Sequence, residues 1–300
     1  MPPGTVFRHF LPATHRANTM STQVAITAAV AGIGAYAWYL RSSNTSGDKP
    51  VFSSFGFHSL RLESTELINH NTKKLRFELP DKSKPSGLSL TSALLTISLP
   101  KGRWLPVLRP YTPVNDLSEP GYIELMVKLY PSGKQSTHLH SLEPGDTLTF
   151  APIKELAWTP NKHPHVALIA GGAGITPMYQ LARGILSNPA DQTRVTLVWG
   201  VNTDEDIFLR DEFSALERSH PGRFKAVYVV AAPTAESPHQ KGFVTKQVLE
   251  GAGLSAKQSK DLDVKVLICG PPAMEKALKG KKGTGVLAEL GYRPDQVYSF

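Results

Sequence analysis

The sequence predicts a two-domain β plus α/β fold: an antiparallel β-barrel over residues 51–158, then a doubly wound parallel-sheet domain over 159–300, both behind an N-terminal transmembrane helix. Three observations predict it. Residues 51–158 hold short apolar runs between Pro and Gly clusters; beyond Pro160 the apolar runs become continuous and alternate with helical segments; residues 21–40 carry no charge. A strand with one wet face alternates apolar and polar residues, whereas a strand covered on both faces by helices is apolar throughout.

The chain begins with a stretch, residues 1–20, in which Arg8, His9, His15 and Arg16 are interspersed with hydroxyl and apolar residues, and no acidic residue precedes Asp48. That is the composition of a mitochondrial targeting segment. Residues 24–40 are apolar apart from Thr27, which meets the lower limit of about 17 residues for a spanning helix. Tyr36, Trp38 and Tyr39 followed by Arg41 suit an interfacial belt with a positive flank. A retained anchor, a cleaved secretory signal and a removed presequence compete for this segment. The lone cysteine counts against secretion, and the anchor over residues 21–40 is the reading carried forward. Residues 41–50 are polar and turn-rich, as in a flexible tether.

In the barrel region strands are expected at 75–79, 94–99, 122–130 and 147–150. Residues 122–130 alternate cleanly, with Ile123, Leu125, Val127 and Leu129 on one face. In the second half, apolar strands at 165–170, 195–199, 224–231 and 264–269 are each followed by a helical segment, at 176–186, 209–219, 245–249 and 273–279. In such a sheet the ligand lies at the carboxyl ends of the strands. Gly171-Gly172-Ala173-Gly174 and Cys269-Gly270-Pro271-Pro272 both fall there.

A composition of 41% hydrophobic and 19% charged residues is that of a folded protein. The single cysteine, Cys269, excludes an internal disulfide framework and a four-Cys iron-sulfur cluster. The net charge of +8 comes from 33 basic against 25 acidic residues. It is scattered, without the aromatic-interleaved basic run of a nucleic-acid binder. It suits an acidic protein partner, and equally a surface charged only for solubility.

Three constellations carry chemistry. In Arg109-Pro110-Tyr111-Thr112-Pro113, Arg109 and Tyr111 share one face of an extended segment and Thr112 takes the other. A guanidinium fork suits phosphate, an aromatic suits a flat ring, and the Thr112 hydroxyl suits a ring edge. By itself the stretch reads first as a proline-bounded edge strand with an exposed Arg and a packing Tyr. Gly133-Lys134-Gln135-Ser136-Thr137 ends a hairpin and starts a short helix, where Ser136 and Thr137 offer hydroxyl and amide donors to a pyrophosphate. Lys128, on the polar face of the preceding strand, is within reach of a nucleotide phosphate or is simply solvated. In Gly171-Gly-Ala-Gly-Ile-Thr-Pro177 the glycines leave room for a dinucleotide, with Thr176 as expected N-cap. The acidic run Asp204-Glu205-Asp206 lies where a carboxylate accepts a ribose 2′-hydroxyl and repels a 2′-phosphate. It serves equally as an acidic helix start. His138/His140 and His163/His165 have no evident third ligand, so no metal site is assigned. Taken together the constellations read as a flavin site facing a nicotinamide site.

In the order RPYTP, GKxS, GGxGITPM, CGPPxM and a terminal aromatic, residues 51–300 resemble the NADH-cytochrome b5 reductases of the ferredoxin-reductase-like superfamily, and the ending 283–300 is most similar to the fungal mitochondrial form. The resemblance implies FAD held by Arg109, Pro110, Tyr111, Thr112, Lys134, Ser136 and Thr176. It implies NADH held by Lys128, Gly172, Asp206, Cys269, Gly270 and Pro271, with Asp206 selecting NADH. Thr112 and Cys269 are then the catalytic pair, Cys269 flanking the nicotinamide. Electrons would pass from NADH through FAD to cytochrome b5, an acidic haem protein, from a monomer anchored in the mitochondrial outer membrane. The intermembrane space and the endoplasmic reticulum are the alternative locations, and another one-electron acceptor or a non-catalytic scaffold the alternative roles. Two residues depart from the family: Gln135 replaces its usual Met and Ala173 its usual Thr.

Overall fold

The computed structural model describes residues 49–53, 55–100, 104–257, 263–281 and 284–300. The expected targeting segment and anchor, and the tether up to residue 48, lie outside the described residues. Among those described, no helix is long and apolar enough to cross a membrane.

Alternation lays down the first sheet. Six strands, β1 (His58–Asn69), β2 (Thr72–Glu78), β3 (Ala93–Ser98), β4 (Val107–Tyr111), β5 (Tyr122–Lys128) and β6 (Thr147–Ile153), pair antiparallel in the order β4-β3-β6-β1-β2-β5. On β5, Ile123, Leu125 and Val127 are fully buried and meet Leu60, Leu62, Leu75, Phe77 and Phe150 in one interior cluster. Phe77 and Phe150 meet edge to face with centroids 5.0 Å apart, the arrangement ring quadrupoles favour. Each such side chain contributes about 1.5–3 kcal/mol through burial. The sheet curls, and its two ends approach where Val114 N–H, just past β4, donates to Glu124 O on β5 at 2.8 Å. Helix α1 (Lys134–His140) connects β5 to β6.

The second sheet has β7 (His165–Gly171), β8 (Arg194–Val201), β9 (Phe224–Val230), β10 (Gln240–Lys241), β11 (Val264–Cys269) and β12 (Val297–Ser299), all parallel, in the order β10-β9-β8-β7-β11-β12. All seven residues of β7 are buried. Leu168 joins a core with Met178, Leu197, Trp199 and Phe213, while its neighbour Ile169 joins another with Val198, Leu249, Ile268 and Leu278. Two cores on two faces are why these strands are apolar without alternation. The helices are α2 (Ile175–Ser187), α3 (Arg210–Ser219), α4 (Lys246–Gly251), α5 (Pro272–Lys279) and α6 (Val286–Glu289). From β7 the chain steps outward to β8, β9 and β10, then returns to β11 on the other side of β7. The order reverses between β7 and β11, and a crevice at such a reversal is where doubly wound sheets bind ligands.

Candidate functional site

The crevice is built from backbone. Ala170 and Cys269 are register partners at the ends of β7 and β11, so the Gly171–Gly174 turn and the 269–272 turn leave the sheet side by side. A Cβ on Gly174 would collide with the Cys269 carbonyl and come within 3.0 Å of Gly270 N. Only glycine lets the two main chains touch. Gly172 has φ +53, and a Cβ there would meet only Tyr130 OH at 3.5 Å, so open space lies over it. Its carbonyl accepts from Trp199 Nε1 at 3.0 Å, which pins the turn to the buried core. Helices α2 and α5 both start at this crevice, so the positive ends of their dipoles lie there.

Burial, with Glu275 and Glu155 behind it, pushes the Cys269 thiol up to about 12. It therefore stands in the crevice as an uncharged S–H, a polarisable neighbour for a ligand and not a nucleophile.

Across from the crevice, β4 presents side chains. Arg109 and Pro110 are exposed, Tyr111 is half-buried and Thr112 buried. The Arg109 guanidinium donates to its neighbour's carbonyl, Leu108 O, at 2.7 Å. Burial raises the Tyr111 phenol to about 12 against the opposing charge of Arg109, so the ring is neutral and packs against the barrel core. The strand's exit is tied to the parallel half. Gln180 on α2 donates to Pro113 O at 2.9 Å and Asn115 O at 3.0 Å, and Arg183 donates to Val114 O at 3.0 Å. The segment holding Thr112 is thus fixed to α2, the helix that carries Thr176 in its first turn.

Below this, the 133–136 turn closes on itself. Ser136 Oγ donates to Gly133 O at 3.1 Å and accepts from Tyr130 N–H at 3.2 Å. The hydroxyl expected to face a pyrophosphate shapes the turn instead, while Lys134 stands exposed beside a cleft of about 780 Å3 lined by Gly133, Thr137 and His138. Thr176 is not the N-cap. Gly172–Gly174 already forms a 3-10 turn, Gly174 caps α2 with helical φ and ψ, and Thr176 Oγ1 donates back to Ala173 O at 3.3 Å.

Lys128 and Asp206 are brought together. Lys128 Nζ, on β5, lies 2.7 Å from Asp206 Oδ1, with the two side chains 7% and 4% exposed. Asn71 Nδ2 donates to the same oxygen at 2.8 Å, and Oδ2 accepts from Thr203 N–H at 3.2 Å. Burial works to raise the Asp206 carboxyl, but these donors outweigh it and hold it below the usual range. The hairpin tip between β1 and β2 adds Asn69 Nδ2 donating to Glu205 O at 2.8 Å. Asp204 instead anchors the 234–237 loop through Thr234 N–H and Ser237 Oγ.

Sequence reasoning did not single out Asn71, Tyr130, Gln180 or Arg183, whose partners lie in loops and turns far along the chain. Tyr130 is 46% exposed and sits against Gly172 and Ala173. It is an aromatic at the junction of the two sheets, and its place at the end of a clean alternating strand was the one available signal.

An exposed guanidinium and lysine, a neutral half-buried ring, and Gly172 with open space above it together fit a flavin dinucleotide facing a nicotinamide one. Residues 59–157 match the oxidoreductase FAD-binding domain family and residues 168–280 the oxidoreductase NAD-binding domain family. The chain is 44% identical over 309 residues to NADH-cytochrome b5 reductase 2 of Pyricularia oryzae, covering 96% of this chain and 92% of that one. It is 47% identical over 303 residues to NADH-cytochrome b5 reductase 2 of Aspergillus clavatus, with the same coverage. The crystal structure of the cytochrome b5 reductase domain of Ulva prolifera nitrate reductase superposes with a TM-score of 0.74 at 30% identity, covering 84% of this chain and all of that one. With both domains matched and relatives this similar over nearly their whole length, the chain belongs to the NADH-cytochrome b5 reductase family of FAD-dependent oxidoreductases.

Proposed function

We propose that this chain passes the electrons it takes from NADH to cytochrome b5, and does so from the mitochondrial outer membrane, held there by residues 21–40. The observation that carries the electron path is the adjacency of the two sites: Pro113, Val114 and Asn115, directly after the Arg109–Thr112 stretch, accept from Gln180 and Arg183 of the helix that opens at the Gly171–Gly174 turn. FAD, when bound, supplies the switch from two-electron to one-electron transfer.

The chain's own residues supply position. Arg109 and Lys134 give cationic donors for phosphate, Tyr111 with Pro110 a face for the ring system, and Thr112 a hydroxyl at its edge. Ser136 shapes the turn beside Lys134, and Thr176 lies in the first turn of α2. On the nicotinamide side Gly172, Gly270 and Pro271 offer backbone approach, and Cys269 an uncharged thiol. Asp206 and Lys128 hold each other, so a nucleotide meets them as one unit, with the carboxylate favouring NADH over a 2′-phosphorylated cofactor. The basic surplus of the chain complements an acidic haem protein and raises the rate of encounter.

Anaerobic titration with NADH tests the core of this reading: the visible band of the bound flavin bleaches, and cytochrome b5 added afterwards is reduced. A flavin that stays oxidised overturns it. Deleting residues 1–41 tests the anchor. The truncated protein is expected to stay soluble and reduce ferricyanide, while reduction of membrane-bound cytochrome b5 falls because tethering supplies effective concentration. Unchanged delivery to membrane-bound cytochrome b5 counts against the anchor.

A further inference from the structure

Gln135, one of the two departures from the family's pattern, is 2% exposed. A buried amide is costly unless its donors and acceptor are met. Ser98 Oγ donates to Gln135 Oε1 at 2.6 Å, and Gln135 Nε2 donates to Thr96 Oγ1 at 2.8 Å. Thr96, itself fully buried, donates its hydroxyl hydrogen bond to the Arg109 carbonyl at 2.9 Å. Thr96 and Arg109 are also direct partners across β3 and β4. A directed chain of donors therefore runs from Gln135 through Thr96 to Arg109. It joins the 133–136 turn to the strand that carries Arg109 and Tyr111, and each bond aligns the next. A methionine at 135 would fill the volume and bond to neither hydroxyl.

We propose that Gln135 is a positioning residue for FAD in this chain: it couples the 133–136 turn to the Arg109 backbone, so that the two elements holding the flavin nucleotide keep one fixed separation. The inference rests on the assignment of FAD to Arg109 and Lys134.

The test uses the full-length chain purified with its flavin. FAD release after dilution is followed by flavin fluorescence, and the thermal midpoint is measured with FAD in large excess. Q135M and T96V are each expected to release FAD about tenfold faster, the scale of one lost buried hydrogen bond. The double variant S98A/Q135M removes the hydroxyl that Q135M leaves unpaired. It is expected to recover the wild-type midpoint and to keep the fast release. Release returning to the wild-type rate in S98A/Q135M makes Gln135 a stability residue only and overturns the proposal. Wild-type release from T96V also overturns it, because the coupling to Arg109 is then not the route. R109A separates the layers. If R109A keeps its FAD, the FAD assignment itself falls; if R109A sheds FAD while Q135M does not, only the positioning role falls.

Discussion

At the β7–β11 crevice the surface offered to a ligand is main chain, and the glycines there are demanded by space: Gly174 touches the Cys269 carbonyl and Gly172 takes a positive φ beneath open volume. On β4 the surface is side chain, with Arg109 exposed and Tyr111 half-buried on an edge strand paired to β3. The two regions should fail differently. Damage at the crevice is steric and reaches the fold, because two core-bearing strands meet there. Damage at the exposed Arg109 on β4 is chemical and reaches only the ligand. The Lys128–Asp206 pair lies between them, joining an antiparallel strand to the turn after β8.

Breaking that pair has the largest expected effect. Lys128→Met leaves the Asp206 carboxylate buried without its cation, a change that costs about 3–5 kcal/mol. Thermal melting is expected to show it, with much of the loss recovered in Lys128→Met/Asp206→Leu, where no charge is left stranded. A single variant as stable as wild type would mean that the two sheets are joined by other contacts. The pair also carries a pH dependence. Because the folded Asp206 value lies below its unfolded value of about 3.9, its contribution is present above roughly pH 4 and is lost as the pH falls through the folded value.

Gly174→Ala comes next. The added methyl meets backbone that cannot rotate away, and overpacking of this kind costs about 1–3 kcal/mol. The expected result is a lower melting point together with a raised KM for NADH. Loss of NADH binding at an unchanged melting point would erase the steric side of the comparison.

Arg109→Ala sharpens the other side. A charge-assisted phosphate contact is worth about 1.5–3 kcal/mol, so FAD is expected to wash out on gel filtration. With FAD in excess, the melting point should move little. A large fall in stability would place Arg109 among the structural residues.

The smallest effect concerns Cys269. With the folded thiol at about 12, its alkylation rate is expected to keep rising through pH 10, without the levelling near 8.5 of a free thiol. Since the folded value is raised, the contribution of the neutral thiol to stability is full below the unfolded value and lost as the pH rises toward 12. A plateau near pH 7 would reveal a thiolate, and side-chain chemistry in the crevice built of backbone.

The legible elements were those whose burial follows a simple period. β5 alternates and β7 is apolar from end to end; β7 stands where the pattern placed it, and β5 does so up to Lys128, two residues short of the expected end. β1 was not expected, although it is the longest strand described. Its pairing with β2 shifts register between Leu62 and Ser64 and again between Leu67 and Asn69, and each bulge resets the alternation that a reader follows. Thr176 was expected to cap its helix because a threonine before an apolar run usually does. The 3-10 turn at Gly172–Gly174 had already started the helix, which no local pattern announces.

The sequence by itself determined the two sheets, the glycine turns at the carboxyl ends of the parallel strands, and the basic and aromatic residues of β4, because period and residue type act over a few neighbouring positions. Only the tertiary structure decided the partners. Lys128 meets Asp206 across 78 residues, Gln180 meets Pro113 across 67, and Gln135 meets Thr96 across 39. A buried polar group must be satisfied wherever the fold happens to bring a donor or acceptor, and that location is a property of the packed chain as a whole.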